Sequence, residues 1–310
     1  MNIIVTGAGG FVGQALVRQL LALEPGIERL TLLDSRLPPD LSDTRIVAVE
    51  GDLADPQIRA RTVGEGADVL FHLAGVMGGA AEQDYALSRR INLDASLDLI
   101  EAVAAKSAKP RVVFTSTIAV LGAPFPAHVD DGTPLSPFMT YGAHKLMIEV
   151  ALADMTRRGV VDAVSVRLPG ILARPLGPSG MKSAFMSEVF HALVAGQPFV
   201  APVSRGATIW AMSVERCAAN LVHAATLDVA LLPETRAVTL PALRLAFGDM
   251  VDAIVARAGV NPSLVTYAPD AALEAQFGAL PRLSTPAADH AGFRHDGDVS
   301  AFVAAALAAL

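Results

Sequence analysis

The chain has little cysteine, few aromatic residues and no excess of positive charge, and each scarcity excludes a class of protein. Cys217 is the single cysteine among 310 residues, which excludes an intramolecular disulfide and a multi-cysteine metal site, so we expect no metal. We expect Cys217 itself to be a small buried residue of the core. The net charge of −7, without a basic run, argues against nucleic acid or an anionic membrane as a partner.

Long apolar runs are also missing. No uncharged stretch reaches the length of about 18 residues that a bilayer requires, and the alanine-rich segment 299–310 is expected to be a docked helix. The first residues lack the basic region of a secretory signal peptide. Together with the cysteine usage, this pattern predicts a cytoplasmic protein.

A glycine-rich loop follows the first predicted strand, 2–6, and precedes an apolar-periodic helix. This is the context that a dinucleotide-binding loop requires. The first glycine permits a tight turn, the second lets backbone approach a pyrophosphate, and the third allows close helix–strand packing, while the helix N-terminus attracts phosphate. A tight turn without a ligand and a methyltransferase loop are the alternatives. The residues expected against the pyrophosphate are Gly7, Gly10, Phe11, Val12 and Gly13.

A carboxylate at the end of the second predicted strand indicates which dinucleotide is bound. The strand 29–33 ends at Asp34, about 20 residues after Gly13, where an acidic side chain accepts hydrogen bonds from the adenine ribose and repels a 2′-phosphate. The sequence therefore predicts NAD rather than NADP. Arg36 is the one residue nearby that favours the phosphate, and a solvated loop arginine is its alternative interpretation.

Tyr141 and Lys145 lie one helical turn apart, on the same face of a predicted helix. A free tyrosine has a pKa of about 10, and a nearby ammonium lowers that value toward neutrality. Tyr141 then exchanges a proton with an alcohol or a carbonyl. A surface tyrosine beside a solvated lysine is the alternative.

Predicted strands alternate with helices over the first half of the chain, which is typical of a parallel sheet covered on both faces. Beyond Leu168, frequent prolines such as Pro178 break the pattern into short elements. We therefore predict an α/β fold: a Rossmann-type doubly wound parallel sheet with a smaller, irregular substrate-binding domain. The predicted domains are 1–168 with 206–226, and 169–205 with 227–310. The predicted strands are 2–6, 29–33, 45–50, 68–73, 111–116 and 161–167, and the helices are 11–23, 56–64, 84–107, 140–158 and 214–226.

Several motifs occur in order across the larger domain. They are TGAGGFVG at 6–13, Gly51-Asp52-Leu53, His72-Leu73-Ala74-Gly75, Asn92, Phe114-Thr115-Ser116-Thr117 and Tyr141-x-x-x-Lys145. With these motifs the chain resembles the extended short-chain dehydrogenase/reductase family, also called NAD-dependent epimerase/dehydratases. The G-x-x-G-x-x-G spacing is that family's own.

The resemblance implies roles for individual residues. Thr117 matches the hydroxyl that holds the substrate oxygen beside Tyr141, with Ser116 as a second candidate, and Lys145 also binds the nicotinamide ribose. Asn92 is either part of a proton relay or a helix-bending structural amide. The further residues implied to contact NAD are Asp52, Leu53, Leu73, Ala74, Gly75, Leu168, Pro169 and Ile171.

Two departures from the family pattern bear on the substrate. Gly170 stands where sugar-nucleotide members usually have an asparagine on the diphosphate, and 207–210 lacks their Arg-Asp pair. Segments around 114–126, 129–145, 157–175 and 209–227 instead resemble members that oxidise a four-carbon sugar acid at C2. A small sugar acid is therefore the expected partner. The alternatives are a sugar-nucleotide epimerase or dehydratase that keeps NAD bound, and an inactive dinucleotide sensor.

An acid substrate needs a cation, for which a guanidinium is best suited. Arg174 and Arg205 are the candidates, and Val76, Met77 and Gly78 are expected to form one wall of the pocket. Trp210 is a second wall or a core residue, and His144 is expected at the surface. Apolar residues surround more than one face of the predicted helix 140–158, and with 84–107 it is expected to build a homodimer.

Overall fold

The computed structural model describes residues 1–23, 26–177 and 182–310. Pro178 and its neighbours in the predicted substrate domain lie outside the described residues. The strands are β1 Asn2–Thr6, β2 Arg29–Asp34, β3 Ile46–Glu50, β4 Val69–His72, β5 Arg111–Thr117, β6 His128–Val129, β7 Asp162–Leu168, β8 Gly170–Ile171, β9 Phe199–Ala201, β10 Thr208–Met212, β11 Ala237–Thr239, β12 Leu243–Ala246, β13 Val265–Tyr267 and β14 Arg282–Leu283. The α-helices are α1 Phe11–Ala22, α2 Pro56–Val63, α3 Gly78–Gln83, α4 Tyr85–Arg89, α5 Ala95–Lys106, α6 Thr140–Arg157, α7 Phe185–Val194, α8 Val214–Thr226, α9 Phe247–Ala258, α10 Ala271–Phe277, α11 Pro286–His290 and α12 Val299–Ala308.

Seven parallel strands form the main sheet, in the order β11-β7-β5-β4-β1-β2-β3. The order reverses direction between β1 and β4, and ligands of open α/β sheets bind in the crevice at such a point. The predicted α/β class and doubly wound sheet are confirmed.

Alternating side chains of the strands explain why helices cover both faces. Ile3 and Val5 of β1 lie in one buried cluster with α1 and α8, whereas Ile4 lies in another with α5 and α6. Both faces of the sheet are therefore apolar, as its near-continuous hydrophobic strands predict.

A third buried cluster joins the short strands and helices of the C-terminal half. Phe185, Phe190, Phe247 and Phe302 form its centre, packed between α7, α9, α12 and the sheet β12-β10-β8.

The predicted domain boundaries need two corrections. β11 pairs with β7 in the main sheet, although it lies in 227–310, which the sequence placed in the smaller domain. β10 lies in 206–226, which the sequence placed with the main sheet, but it pairs with β8 and β12. Three- and five-residue strands give too little hydrophobic periodicity to show which sheet they join. The end of that segment forms the predicted helix, α8, which packs on α1 beside the main sheet.

The predicted helix 84–107 is interrupted. Asp84 caps α4, and a π-helical turn at Arg90–Asp94 separates α4 from α5. A π turn inserts one extra residue, which shifts the buried face of the helix and is frequent at functional sites. The described residues contain no helix long and apolar enough to cross a membrane.

Candidate active site

The glycine loop packs too closely for any side chain. A Cβ on Gly13 would lie 2.0 Å from the Gly7 carbonyl oxygen, and one on Gly7 would lie 2.8 Å from the Ala74 amide nitrogen. Gly7 also has a φ of +72°, which favours glycine. Gly10 precedes α1 and supplies no side-chain cap, so the amides of the first turn face an incoming phosphate. This cradle fits the pyrophosphate of a dinucleotide.

Acidic side chains lie at the adenosine end of this crevice. Asp34 accepts hydrogen bonds from the Gly9 amide at 2.9 Å and the Arg36 amide at 3.3 Å. Asp52 forms an ion pair with Arg90 of the π turn at 2.8 Å. Asp34 thus joins β2 to the glycine loop, and its contact with the ribose hydroxyls stays a prediction.

A buried hydrogen-bond chain fixes the end of β4 beside the glycine loop. The Ala74 amide donates to Thr6 Oγ1 at 3.3 Å, and Thr6 Oγ1 lies 2.7 Å from His72 Nδ1. His72 Nε2 lies 2.8 Å from Ser96 Oγ, which donates to the Ile91 carbonyl. Burial, followed by the Lys145 charge, lowers the pKa of His72 to about 3, so the ring is neutral.

Asn92 holds the next segment of the loop through its side-chain amide. Its Nδ2 donates to the Val76 carbonyl at 2.8 Å, and its Oδ1 accepts from the Val76 amide at 2.6 Å. Nδ2 also donates to Ser88 Oγ at 3.2 Å. These contacts, at a π turn, correspond to the structural amide among the two roles considered for Asn92.

The predicted pocket wall follows directly. Met77 is 43% exposed, and α3 begins at Gly78. A Cβ on Gly78 would lie 3.3 Å from Met139 Cε, so this wall rests on the residue that precedes the catalytic helix α6.

Lys145 is buried, with 3% of its surface exposed, and its Nζ donates to the Thr115 carbonyl at 2.8 Å. Burial lowers the pKa of Lys145 to about 7, while the Glu149 carboxylate acts in the opposite direction. The ammonium lies 5.9 Å from the centre of the Tyr141 ring.

Three effects determine the pKa of Tyr141. Burial raises the pKa of its phenol, while the Arg174 charge and a hydrogen bond with Thr117 lower it. The sequence predicted that Lys145 supplies the charge that acts on the phenol. The Arg174 charge is an additional influence on the phenol that the Tyr-x-x-x-Lys spacing does not contain, and the action of Lys145 on it stays a prediction.

The two candidate hydroxyls at the end of β5 face different partners. Thr117 contacts Tyr141 and accepts a hydrogen bond from the Ala119 amide at 3.1 Å. Ser116 Oγ instead donates to Glu149 on α6. Side chains alternate along a strand, so only one of two neighbours points to the phenol.

The two candidate arginines are also separated. Arg174 is half-buried, and its Nε donates to the Ile171 carbonyl at 2.7 Å, which holds the guanidinium near Tyr141. Arg205 lies at the surface, 54% exposed, and pairs with Asp252 at 2.7 Å beside the ring of Tyr267. Of these two arginines, only Arg174 therefore interacts with Tyr141.

His144 and Trp210 are both buried in the structure. His144, expected at the surface, is 4% exposed, because its Nδ1 meets Ser88 Oγ at 3.0 Å and its ring packs against Tyr85. Trp210 is a core residue, and its Nε1 donates to the Pro281 carbonyl at 2.8 Å.

The remaining residues implied to contact NAD differ in exposure. Leu53 and Ile171 are buried, as is Pro169, whereas Leu73 and Leu168 are only partly covered. In the described ranges, no group of three His, Cys, Asp or Glu side chains is arranged to hold a metal ion.

Known proteins match this chain over most of its length. The model of the NAD dependent epimerase/dehydratase family matches residues 3–210. A D-erythronate dehydrogenase of Cupriavidus necator is 37% identical over 290 residues, covering 91% of this chain and 90% of that protein. Another, from Haemophilus influenzae, is 33% identical and covers 81% and 80%. The solved structure of a nucleoside-diphosphate-sugar epimerase from Agrobacterium tumefaciens superposes with a TM-score of 0.89 at 31% identity, covering 98% and 92%.

Proposed function

From the premise that this chain belongs to the NAD-dependent epimerase/dehydratase family, we propose that it oxidises the C2 hydroxyl of a small sugar acid, D-erythronate or a close relative, to the 2-oxo acid. The family and the cofactor predicted from the motifs are confirmed: the chain is an NAD-dependent enzyme that acts on a CH–OH group. The proposal for the substrate rests on the position of Arg174.

Arg174 favours an anionic substrate because its guanidinium lies beside the phenol that is to receive the proton. When the carboxylate next to C2 of the substrate binds the guanidinium, the hydroxyl on C2 points to Tyr141. Charged hydrogen bonds of this kind are the strong ones, and the planar fork orients a carboxylate.

The residues divide the chemistry between them. Tyr141 accepts the proton of the hydroxyl, and Thr117 holds the substrate oxygen beside it. The Arg174 charge offsets the burial that opposes the phenolate, and Lys145 binds the nicotinamide ribose and contributes its own charge. Bound NAD supplies the acceptor for the hydride that leaves C2.

The sugar-nucleotide alternative meets a steric obstacle at Gly170. A Cβ there would lie 2.7 Å from the Trp210 carbonyl, because β8 and β10 pair at this point. The asparagine that commonly contacts a diphosphate therefore has no room without a shift of backbone. This favours a substrate without a nucleotide, even though a sugar-nucleotide epimerase superposes closely.

Assembly and location complete the proposal. Met147 and Val150 of α6 are 51% and 64% exposed, and we assign this face to a homodimer. The single cysteine leaves the chain without an internal disulfide, which is usual in the cytoplasm, the location we assign.

A panel of aldonic, uronic and nucleotide-linked sugars tests the reaction, with NADH formation as the readout. We expect net NADH with a free C2-hydroxy acid, whereas an epimerase or dehydratase gives none. Arg174→Gln should raise the KM for the acid about 10- to 100-fold, the loss of one charged hydrogen bond, with little change for NAD. Arg205→Gln is the matched control and should leave both values unchanged. Equal effects of the two variants would contradict the role given to Arg174.

A further inference from the structure

A buried carboxylate lies next to the catalytic lysine, and neither the motifs nor the proposed reaction uses it. Glu149 is 3% exposed. Arg167 of β7 donates to it from Nε at 3.1 Å and from Nη2 at 2.7 Å, and Ser116 of β5 donates a third hydrogen bond. Three elements thus converge on one side chain beneath the active site.

Glu149 and Lys145 are linked by helix geometry and by a shared strand. They are four residues apart on α6, so their side chains lie on one face. Lys145 contacts the carbonyl of Thr115, and Glu149 contacts the hydroxyl of Ser116, the next residue of β5. The same stretch of strand therefore holds both charged groups.

Glu149 differs from the other titratable groups around Lys145 in that it favours the charged form of the lysine. Tyr141 and Glu149 lie on the same helix as Lys145 and face its ammonium. The neutral ring of His72 faces it from β4. Arg167 of β7 acts on it only through its ion pair with Glu149. Burial opposes the ammonium, and Glu149 is the group that favours it.

Arg167 and Ser116 supply the hydrogen-bond donors that a buried carboxylate requires. A lone carboxylate in the interior takes up a proton, because burial raises its pKa. A bidentate guanidinium and a hydroxyl donor stabilise the charged form instead. Arg167 and Ser116 therefore hold the Glu149 carboxylate on the face of α6 that also carries Lys145.

We propose that Glu149, clamped by Arg167 and Ser116, is a positioning residue that holds Lys145 in place and in its charged form. This inference rests on the roles proposed for Tyr141 and Lys145. It extends the active site by one layer, and it gives Ser116 a function that differs from substrate binding.

The charge on Lys145 can be followed directly, because the chain has only four lysines. With ¹³Cε-labelled lysine, the titration of Lys145 is read by NMR and assigned by Lys→Arg replacement of the others. Glu149→Gln should move the Lys145 midpoint to lower pH by about 0.5 or more, since an opposite charge is lost. Glu149→Asp keeps the charge and should restore most of the shift. Asp162→Asn breaks the Arg111–Asp162 pair at the opposite end of β5 and β7 and should leave the midpoint unchanged.

Removal of one partner leaves a buried unpaired charge, so the double variant Glu149→Gln with Arg167→Gln is included in case the single variant does not fold. Its midpoint should also lie below that of the wild type. In kinetics, the alkaline limb of the kcat profile should move to lower pH with the midpoint, whereas a merely structural role lowers kcat equally at every pH.

An unchanged midpoint in Glu149→Gln or the double variant, or an equal shift in Asp162→Asn, would overturn the inference while leaving the dehydrogenase proposal intact. Failure of every acid to yield NADH would instead reject the proposed function, and the NMR titration would still decide the part played by Glu149.

Discussion

Tyr141 is a phenol in an environment that opposes its ionisation. Burial raises its pKa, and the opposing influences come from Arg174 and Thr117, residues far apart in the sequence. The pKa of the phenol therefore depends on side chains that the Tyr-x-x-x-Lys spacing does not contain. The motif predicts the base, and in the proposed reaction the Arg174 charge favours the phenolate that accepts the proton.

Replacement of Tyr141 by Phe tests this role with little change in shape. We expect turnover to fall about 100-fold or more, because the proton acceptor is lost while the ring remains. NADH binding, measured by fluorescence titration, should change by no more than about threefold. Tyr267→Phe is the control, since Tyr267 contacts the surface residue Arg205. A Tyr141 variant with more than about a tenth of wild-type turnover would show that another group takes the proton.

Residue identities were predictable where a local pattern carries the chemistry, and their surroundings were not. Tyr141, Lys145 and the glycines follow from spacing. His144 is buried because it contacts Ser88. Ser116 donates its hydrogen bond to Glu149, which Arg167 holds in place. These partners come from other elements, so the sequence gives no local signal for them.

At the scale of elements, the end of β2 connects fold and cofactor choice. Asp34 is the last residue of that strand and accepts a hydrogen bond from the Gly9 amide at 2.9 Å, so the carboxylate predicted to bind the ribose also holds the glycine loop. The hydrogen bond therefore joins the end of β2 to the loop that follows β1. A change at Asp34 affects the shape of the loop as well as its charge.

Asp34→Ser should weaken NAD and relieve the repulsion against NADP. We expect the ratio of kcat/KM for NAD to that for NADP to fall about 10- to 100-fold, the effect of one or two strong electrostatic contacts. Asp40→Ser makes the same change of charge in the exposed loop that follows and should leave the ratio near that of the wild type. Equal use of both cofactors by the unmodified protein would show that Asp34 does not discriminate between them.

Long elements with clear periodicity were predictable to within a residue or two, as β5, β7 and α6 show. Helix 84–107 was predicted as one piece, because a π turn leaves the residues helical and changes only their register. β11 escaped prediction because three residues carry too little pattern, although they complete the main sheet.

In the whole molecule, α6 has a buried inner face and an exposed apolar outer face. Its inner face carries Tyr141 and Lys145 and buries Ile148 and Leu152 in the sheet cluster, and Leu146 is partly covered by a separate small cluster. One part of the apolar surface expected to be free is thus covered within the chain. Met147 and Val150 remain open on the outer face.

In the homodimer that we propose, that outer face lies against its copy across a two-fold axis, next to the 84–107 segment. Val150→Glu introduces a charge at the centre of this surface and should convert the dimer to a monomer, because a buried unpaired carboxylate is costly. Val194→Glu is the control, since Val194 is a similarly exposed helical valine of α7. Light scattering at micromolar concentration gives the mass. Twice 32.2 kDa is expected for the wild type and Val194→Glu, and 32.2 kDa for Val150→Glu. A wild-type mass of 32.2 kDa would reject the dimer, and a Val150→Glu protein that stays dimeric would place the interface elsewhere.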